Sequence, residues 1–232
     1  MDKAKRFKYE TENFRECNKE YKLIFRLIKD SIRRKKICDE KLLLRPLMIA
    51  STMVAECYLY KIIYSEHADD SLRDSVFSSN NFIDKWKSLI DCCIKKYYKV
   101  TYENLARNNK TAHLRYEEIK KYIDSDLKEL YTLRNKFAHG EVAYAFDSSR
   151  QRLNQDLTGS IKTIDLMKVI RLKRSFDELS KLILYMIESP KTFDRDFDRF
   201  FSKYEDIKEK YGGTNSYENF KNELLSKPKR FC

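Results

Sequence analysis

Arg134, Asn135 and His139 lie within six residues of each other in the stretch Leu130-Tyr131-Thr132-Leu133-Arg134-Asn135-Lys136-Phe137-Ala138-His139-Gly140. The chain has three histidines and four glycines, and this segment holds one of each. A guanidinium is a fixed fork of donors that fits a phosphate and keeps its charge. An imidazole titrates near neutrality, so it takes a proton from one oxygen and gives it to another. An asparagine amide orients either partner without competing for the proton. Beside a phosphodiester, this set suits metal-free RNA cleavage: histidine assists attack by the ribose 2′-OH, and arginine stabilises charge on the phosphorane. The products are a 2′,3′-cyclic phosphate and a 5′-OH, and DNA is inert.

These residues are expected on a helix running from Asp126, capped by Ser125, to His139. At about 100° per residue from Leu127, the side chains of Leu130, Leu133, Phe137, Tyr131 and Ala138 share an arc of roughly 160° that faces the core. Arg134 falls near the middle of that arc. A guanidinium aimed into an apolar face needs a partner, an interface or a wet cleft. Asn135 and His139 stand one turn apart on the arc's edge, and Gly140 stops the helix so that His139 sits at an accessible end. Arg134 and His139 are about 140° apart on an ideal helix, so the helix must loosen or the arginine must reach across. One histidine serves poorly as both base and acid. A symmetric dimer with its axis near Arg134 brings a second His139 and a second Arg134 to the same cleft.

The scaffold reads as all-α. Four Gly and three Pro are too few for a strand-and-turn fold of 232 residues, so a helical bundle of about six helices is expected. In chain order the long helices fall at about 5–36, with the stripe Phe14, Cys17, Tyr21, Ile24 and Ile28, and at about 41–65, apolar on nearly every side and therefore central. Others follow at about 81–99 and 126–139, at 164–187 with Thr163 as cap, and over Phe193 to Ile207, ending at Gly212-Gly213. Leu114 to Ile123 reads as a weaker helix. Connections are expected at 67–80 (a loop or short helix), at 101–111 and at 141–160, the last a lid or a mobile segment. Residues 1–212 form one helical domain with its core at about 41–188, and 213–232 form a basic tail with room for one short helix. Glu56 is the one acid inside the central apolar run. It needs a partner there, and Arg134 is the candidate.

Lysine and arginine outnumber aspartate and glutamate by 48 to 36, a net charge of +12 that favours polyanions, nucleic acid first. The longest stretch without a charge, Pro46 to Ala55, is too short to span a bilayer, so no membrane partner is expected. No apolar segment behind the N-terminus reads as a secretory signal. Six cysteines without C-x-x-C pairs are expected to be reduced, mostly buried thiols of a cytoplasmic protein. No His/Cys spacing fits zinc and no Gly-rich loop fits a phosphate cofactor, so no metal or cofactor is expected. Most of the 16 Tyr and 14 Phe sit at core spacing, with Tyr97, Tyr98 and Tyr144 as candidate stacking surfaces for bases. His67 and His113 are expected at the surface.

Leu133-Arg134-Asn135-Lys136-Phe137-Ala138-His139-Gly140 resembles the R-x4-6-H motif, with a polar residue after the arginine, of the HEPN superfamily. The resemblance covers about residues 41–188, with the helix after Thr163, Asp165 and Leu166 also fitting. It implies a dimerising helical bundle, often a metal-independent endoribonuclease of toxins or phage defence, with Arg134 and His139 catalytic, Asn135 supporting, and Glu56 as the accompanying acid. The partners implied are RNA, a second copy of the chain, and an antitoxin or regulatory defence protein. One departure stands out: toxins paired with nucleotidyltransferase antitoxins carry tyrosine two residues after the histidine, where this chain has Glu141. A second reading stays open, in which the same basic cleft belongs to a non-catalytic module that binds RNA or protein. Taken singly, Arg134 also fits a structural arginine paired with a core acid, and His139 an ordinary helix-end histidine.

Overall fold

The computed structural model describes residues 2–226 and, among them, is about 82% helical with no strand. The all-α reading holds, with more and shorter helices than expected. The helices are α1 (Lys3–Arg33), α2 (Ile37–Ile63), α3 (Asp70–Ser78), α4 (Phe82–Tyr98), α5 (Tyr102–Asn108), α6 (Lys110–Tyr122), α7 (Lys128–Ala138), α8 (Gln155–Lys162), α9 (Leu166–Glu188), α10 (Pro190–Gly212) and α11 (Ser216–Ser226).

The central element is α2, which packs against α1, α7 and α9. Leu47, Met48, Val54, Ala55, Leu59, Ile62 and Ile63 are buried on several sides of it, as expected of a helix without a polar face. By length and composition Cys38–Ile63 would suffice to cross a membrane, more than the uncharged stretch alone implies. Here its apolar surface fills the bundle interior. The α1 stripe lies against it, with Cys17 and Ile28 buried and Phe14, Tyr21 and Ile24 half-buried. Pro46 sits well inside α2 rather than in its first turn.

Several boundaries depart from the sequence reading, each for a local reason. The motif helix does not begin at Asp126. Residues 110–138 are continuously helical, and α6 passes into α7 through a π-helical turn, Ile123–Leu127. Ser125 lies inside that turn and donates to the carbonyl of Tyr122, so it caps nothing. The wide turn keeps Ile123, Asp126 and Leu127 buried together, and such turns often accompany functional segments. Thr163 closes α8 by donating to the Gly159 carbonyl, whereas Asp165 caps α9 by accepting from the Lys168 N–H at 2.8 Å. The segment 67–80 contains α3, capped by Asp69, and 101–111 contains α5 and the start of α6, capped by Asn109. Pro190 ends α9 by opening α10 at the position where its missing N–H costs nothing. Beyond Gly213, α11 returns to α1, with Leu224 buried and the Phe220 ring 6.3 Å from Phe25. The basic run Lys227 to Arg230 falls outside the described residues.

Cys17, Cys57, Cys92 and Cys93 are buried or half-buried free thiols, but Cys38 is exposed. The sulfurs of Cys17 on α1 and Cys57 on α2 stand 3.4 Å apart. His67 is exposed as expected, and His113 is half-buried instead.

Candidate active site

Arg134, Asn135 and His139 occupy the last turn of α7, where it lies against α2. Leu130, Leu133 and Phe137 are buried, as the helical spacing requires, while Tyr131 is half-buried and Ala138 is exposed. The buried arc is therefore narrower than expected, and it closes before the helix end. Arg134 lies on its border, with 27% of its side chain exposed.

Three side chains surround the guanidinium. Its Nη1 donates to Asn135 Oδ1 at 2.9 Å, and its Nη2 stands 4.0 Å from Glu56 Oε2 on α2. That separation is an ion pair but too long for a hydrogen bond. The guanidinium carbon is 5.9 Å from the Tyr131 ring centroid, and Tyr131 stacks on Phe82 of α4 at 4.8 Å. The Nε is buried without a hydrogen-bond partner. A buried donor left unpaired costs about 1–3 kcal/mol; the Nη2 group, 4.0 Å from Glu56, is the one with donor capacity for an incoming oxyanion.

Glu56 is the acid that the sequence singled out, and it does face Arg134. Burial pushes its carboxyl pKa up, while the nearby charges of Arg134 and Lys85 act against that rise without cancelling it. Lys85, from α4, was not expected here. Its Nζ donates to Tyr60 Oη at 3.3 Å, one turn along α2 from Glu56. No sequence pattern links Lys85 to Arg134, because a third helix brings it in.

His139 is exposed and caps α7 at φ −92° and ψ 12°. Its backbone N–H donates to the Asn135 carbonyl at 3.0 Å, so the Asn135 and His139 side chains rise one turn apart on the same edge. The arginine reaches sideways onto Asn135, leaving the asparagine Nδ2 as the donor for a substrate oxygen or the imidazole. Gly140 holds φ +77°, and its N–H donates to the Phe137 carbonyl while the Glu141 N–H donates to that of Lys136. These two bonds form the Schellman stop that favours glycine at this position. The stop leaves His139 at an open end.

The segment after Gly140 is neither lid nor loose loop. Glu141 is buried and ion-paired to Lys136 at 2.9 Å and to Arg150 at 3.7 Å, and it accepts from the Phe146 N–H at 2.7 Å. The backbone hydrogen bond from Phe146, then the Lys136 and Arg150 charges, hold its carboxyl pKa below the usual range. Lys136 also donates to the Phe146 carbonyl, Arg150 to the His139 carbonyl at 3.3 Å, and a lone antiparallel bridge joins Phe146 to Leu153. Glu141, noted only as a departure from a family tyrosine, thus ties down the chain beside His139. Tyr97 and Tyr98 are half-buried with their rings edge to face at 4.6 Å, and both hydroxyls donate to Asp194 of α10. Tyr144 is 53% exposed under Lys162.

Among the described residues, no three His, Cys, Asp or Glu side chains converge to hold a metal ion. Comparison of the chain with protein-family models, with curated proteins and with solved structures gives no match.

Proposed function

We propose that this protein is a metal-independent endoribonuclease of the HEPN kind, acting as a cytoplasmic toxin or phage-defence effector. The observation that carries this reading is Arg134: half-buried, bonded to Asn135, ion-paired with Glu56 at 4.0 Å, and five residues before an exposed histidine at an open helix end. In the proposed reaction the phosphate oxygens take the free donors of Arg134 and the Asn135 amide. His139 removes the 2′-OH proton, O2′ attacks phosphorus, and the P–O5′ bond breaks as the 5′ oxygen takes a proton from a protonated imidazole. A second copy of the chain supplies that second imidazole. The proposed dimer seam follows the α2–α7 face on which Arg134 meets Glu56. Control by an antitoxin or another defence protein belongs to the same reading. Modification of a tyrosine beside the motif does not, because Glu141 holds that position in a buried ion pair.

Labelled single-stranded RNA incubated with the protein in EDTA is cut by the wild type and left intact by His139→Ala. If both cut equally, or neither cuts and neither is toxic on expression in cells, the nuclease reading falls. A non-catalytic module instead predicts no cut RNA and binding that Arg134→Ala weakens in a salt-dependent way. Sedimentation as a monomer at micromolar concentration removes the shared site.

A further inference from the structure

A line of alternating aromatic rings and cations leads away from Arg134 along α2. Glu56, Tyr60 and Tyr64 follow each other at intervals of four, so they lie on one face of the helix, about 6 Å apart along its axis. Phe77 of α3 stacks on Tyr60 with centroids 6.2 Å apart and planes 19° from parallel, and it tilts against Tyr64 at 6.5 Å. Lys85 stands 5.7 Å from the Tyr60 centroid and donates to its hydroxyl. At the far end, Arg73 and Arg6 lie 5.7 Å and 5.4 Å from the Tyr64 ring.

Phe77 is the anomaly in this line. A phenylalanine on a short helix, 48% exposed, does little for the core, and alone it would mean nothing. It is, however, the outer layer of a stack whose inner ring carries a lysine that also acts on Glu56. Arg73 and Arg6 are paired with Asp70 and Glu10, so the unneutralised charge concentrates at the Lys85 end, next to Arg134. A ring open to solvent beside a cation offers a base a π-face and its phosphate a counter-charge. A duplex has no splayed base to place there.

We infer that the Tyr60–Phe77 stack and Lys85 form a subsite for an unpaired nucleotide adjoining the phosphate held at Arg134, which makes single-stranded RNA the substrate. The inference rests on the nuclease reading for the identity of that phosphate. The subsite itself is read by binding alone. Phe77 stacks the base, and Lys85 meets the neighbouring phosphate.

The test is fluorescence anisotropy with a labelled 2′-O-methyl single strand, which cannot be cut, and with its duplex. The wild type is expected to bind the single strand at least about tenfold more tightly than the duplex. Phe77→Ala should lose roughly tenfold in single-strand affinity. Phe77→Leu, which keeps apolar bulk without a π-face, should lose a similar amount, and Phe77→Trp should restore it. Lys85→Gln should lower the salt slope by about one. Equal single-strand binding by wild type, Phe77→Ala and Phe77→Leu overturns the subsite, as does equal affinity for the duplex. If uncut RNA persists with the wild type while Phe77→Ala still loses affinity, the nuclease reading fails and the subsite stands. If RNA is cut and Phe77→Ala binds as wild type, the reverse holds.

Discussion

Two arginines in this bundle sit between helices beside an aromatic ring and a carboxylate, and their surroundings differ in one respect. Arg115 of α6 donates to Asp194 at 3.1 Å and lies 5.1 Å from the Phe197 ring, while Tyr97 and Tyr98 donate to the same carboxylate at 3.0 and 2.6 Å. Burial and then the Asp194 carboxylate raise the pKa of both phenols, so they stay protonated as donors. Through that one carboxylate the cluster clasps α4, α6 and α10. Arg134 instead faces Glu56 at 4.0 Å, bonds only Asn135, and keeps a buried Nε without a partner. Each guanidinium makes one hydrogen bond and one long ion pair, Arg115 to Asp198 at 3.9 Å. The difference therefore lies in the carboxylates: Asp194 accepts three hydrogen bonds and has a structural task, whereas Glu56 stands 4.0 Å from Arg134 without a hydrogen bond to it.

The contrast breaks most visibly in variants. Arg134→Ala is expected to lower RNA cleavage by about 10²–10³-fold while moving unfolding free energy by less than about 1 kcal/mol, read by single-turnover kinetics and urea titration. Asp194→Ala should do the opposite. Leaving Arg115 and two tyrosine hydroxyls without an acceptor should cost about 2–4 kcal/mol, with cleavage per folded molecule unchanged. Equal effects of the two variants on activity would erase the distinction.

A smaller effect tests the stop that presents His139. A Cβ at Gly140 meets nothing within 4 Å, so Gly140→Ala pays only for the left-handed backbone at φ +77°, about 1 kcal/mol. A thermal melt showing no loss would mean that the Schellman stop is not needed. The least effect concerns Glu56. Its carboxyl pKa is raised in the folded state by burial, so the folded protein binds the proton more tightly than the unfolded chain does. The contribution of Glu56 to stability is therefore greatest below the ordinary carboxylate range and declines as pH rises through the shifted pKa. Glu56→Gln should flatten that decline, and urea melts of both proteins across pH 4–8 (about the titration range for a raised carboxyl) check it. Identical pH profiles would place the proton elsewhere.

Features that depend on residues near in sequence were legible. Glu56 interrupts the apolar run of α2, and Arg134, expected in the middle of its helix's buried arc and found on its border, meets it across one helix contact. Gly140 after an apolar run predicted the stop. Features that depend on distant partners were not legible. Asp194 lies 79 residues from Arg115, and nothing near Tyr97 or Tyr98 announces that their hydroxyls are already bonded. Lys85 reaches Glu56 because α4 packs nearby, and Glu141 turned a supposed lid into a pinned segment through Lys136 and Phe146. The π-helical turn escaped periodicity because a widened turn leaves the apolar spacing almost unchanged, and Asp165 rather than Thr163 caps α9 by two residues' difference in phase.

The central claim is that Arg134 and His139 serve one phosphodiester. The most direct measurement is end-group analysis of an RNA oligonucleotide incubated in EDTA, with a matched strand carrying a single 2′-deoxy sugar at the cut position. The proposed reaction gives a 2′,3′-cyclic phosphate and a 5′-OH from the RNA with wild type, no cut at the deoxy position, and no product with His139→Ala. Cleavage at the deoxy position, or undiminished product from His139→Ala, would contradict it.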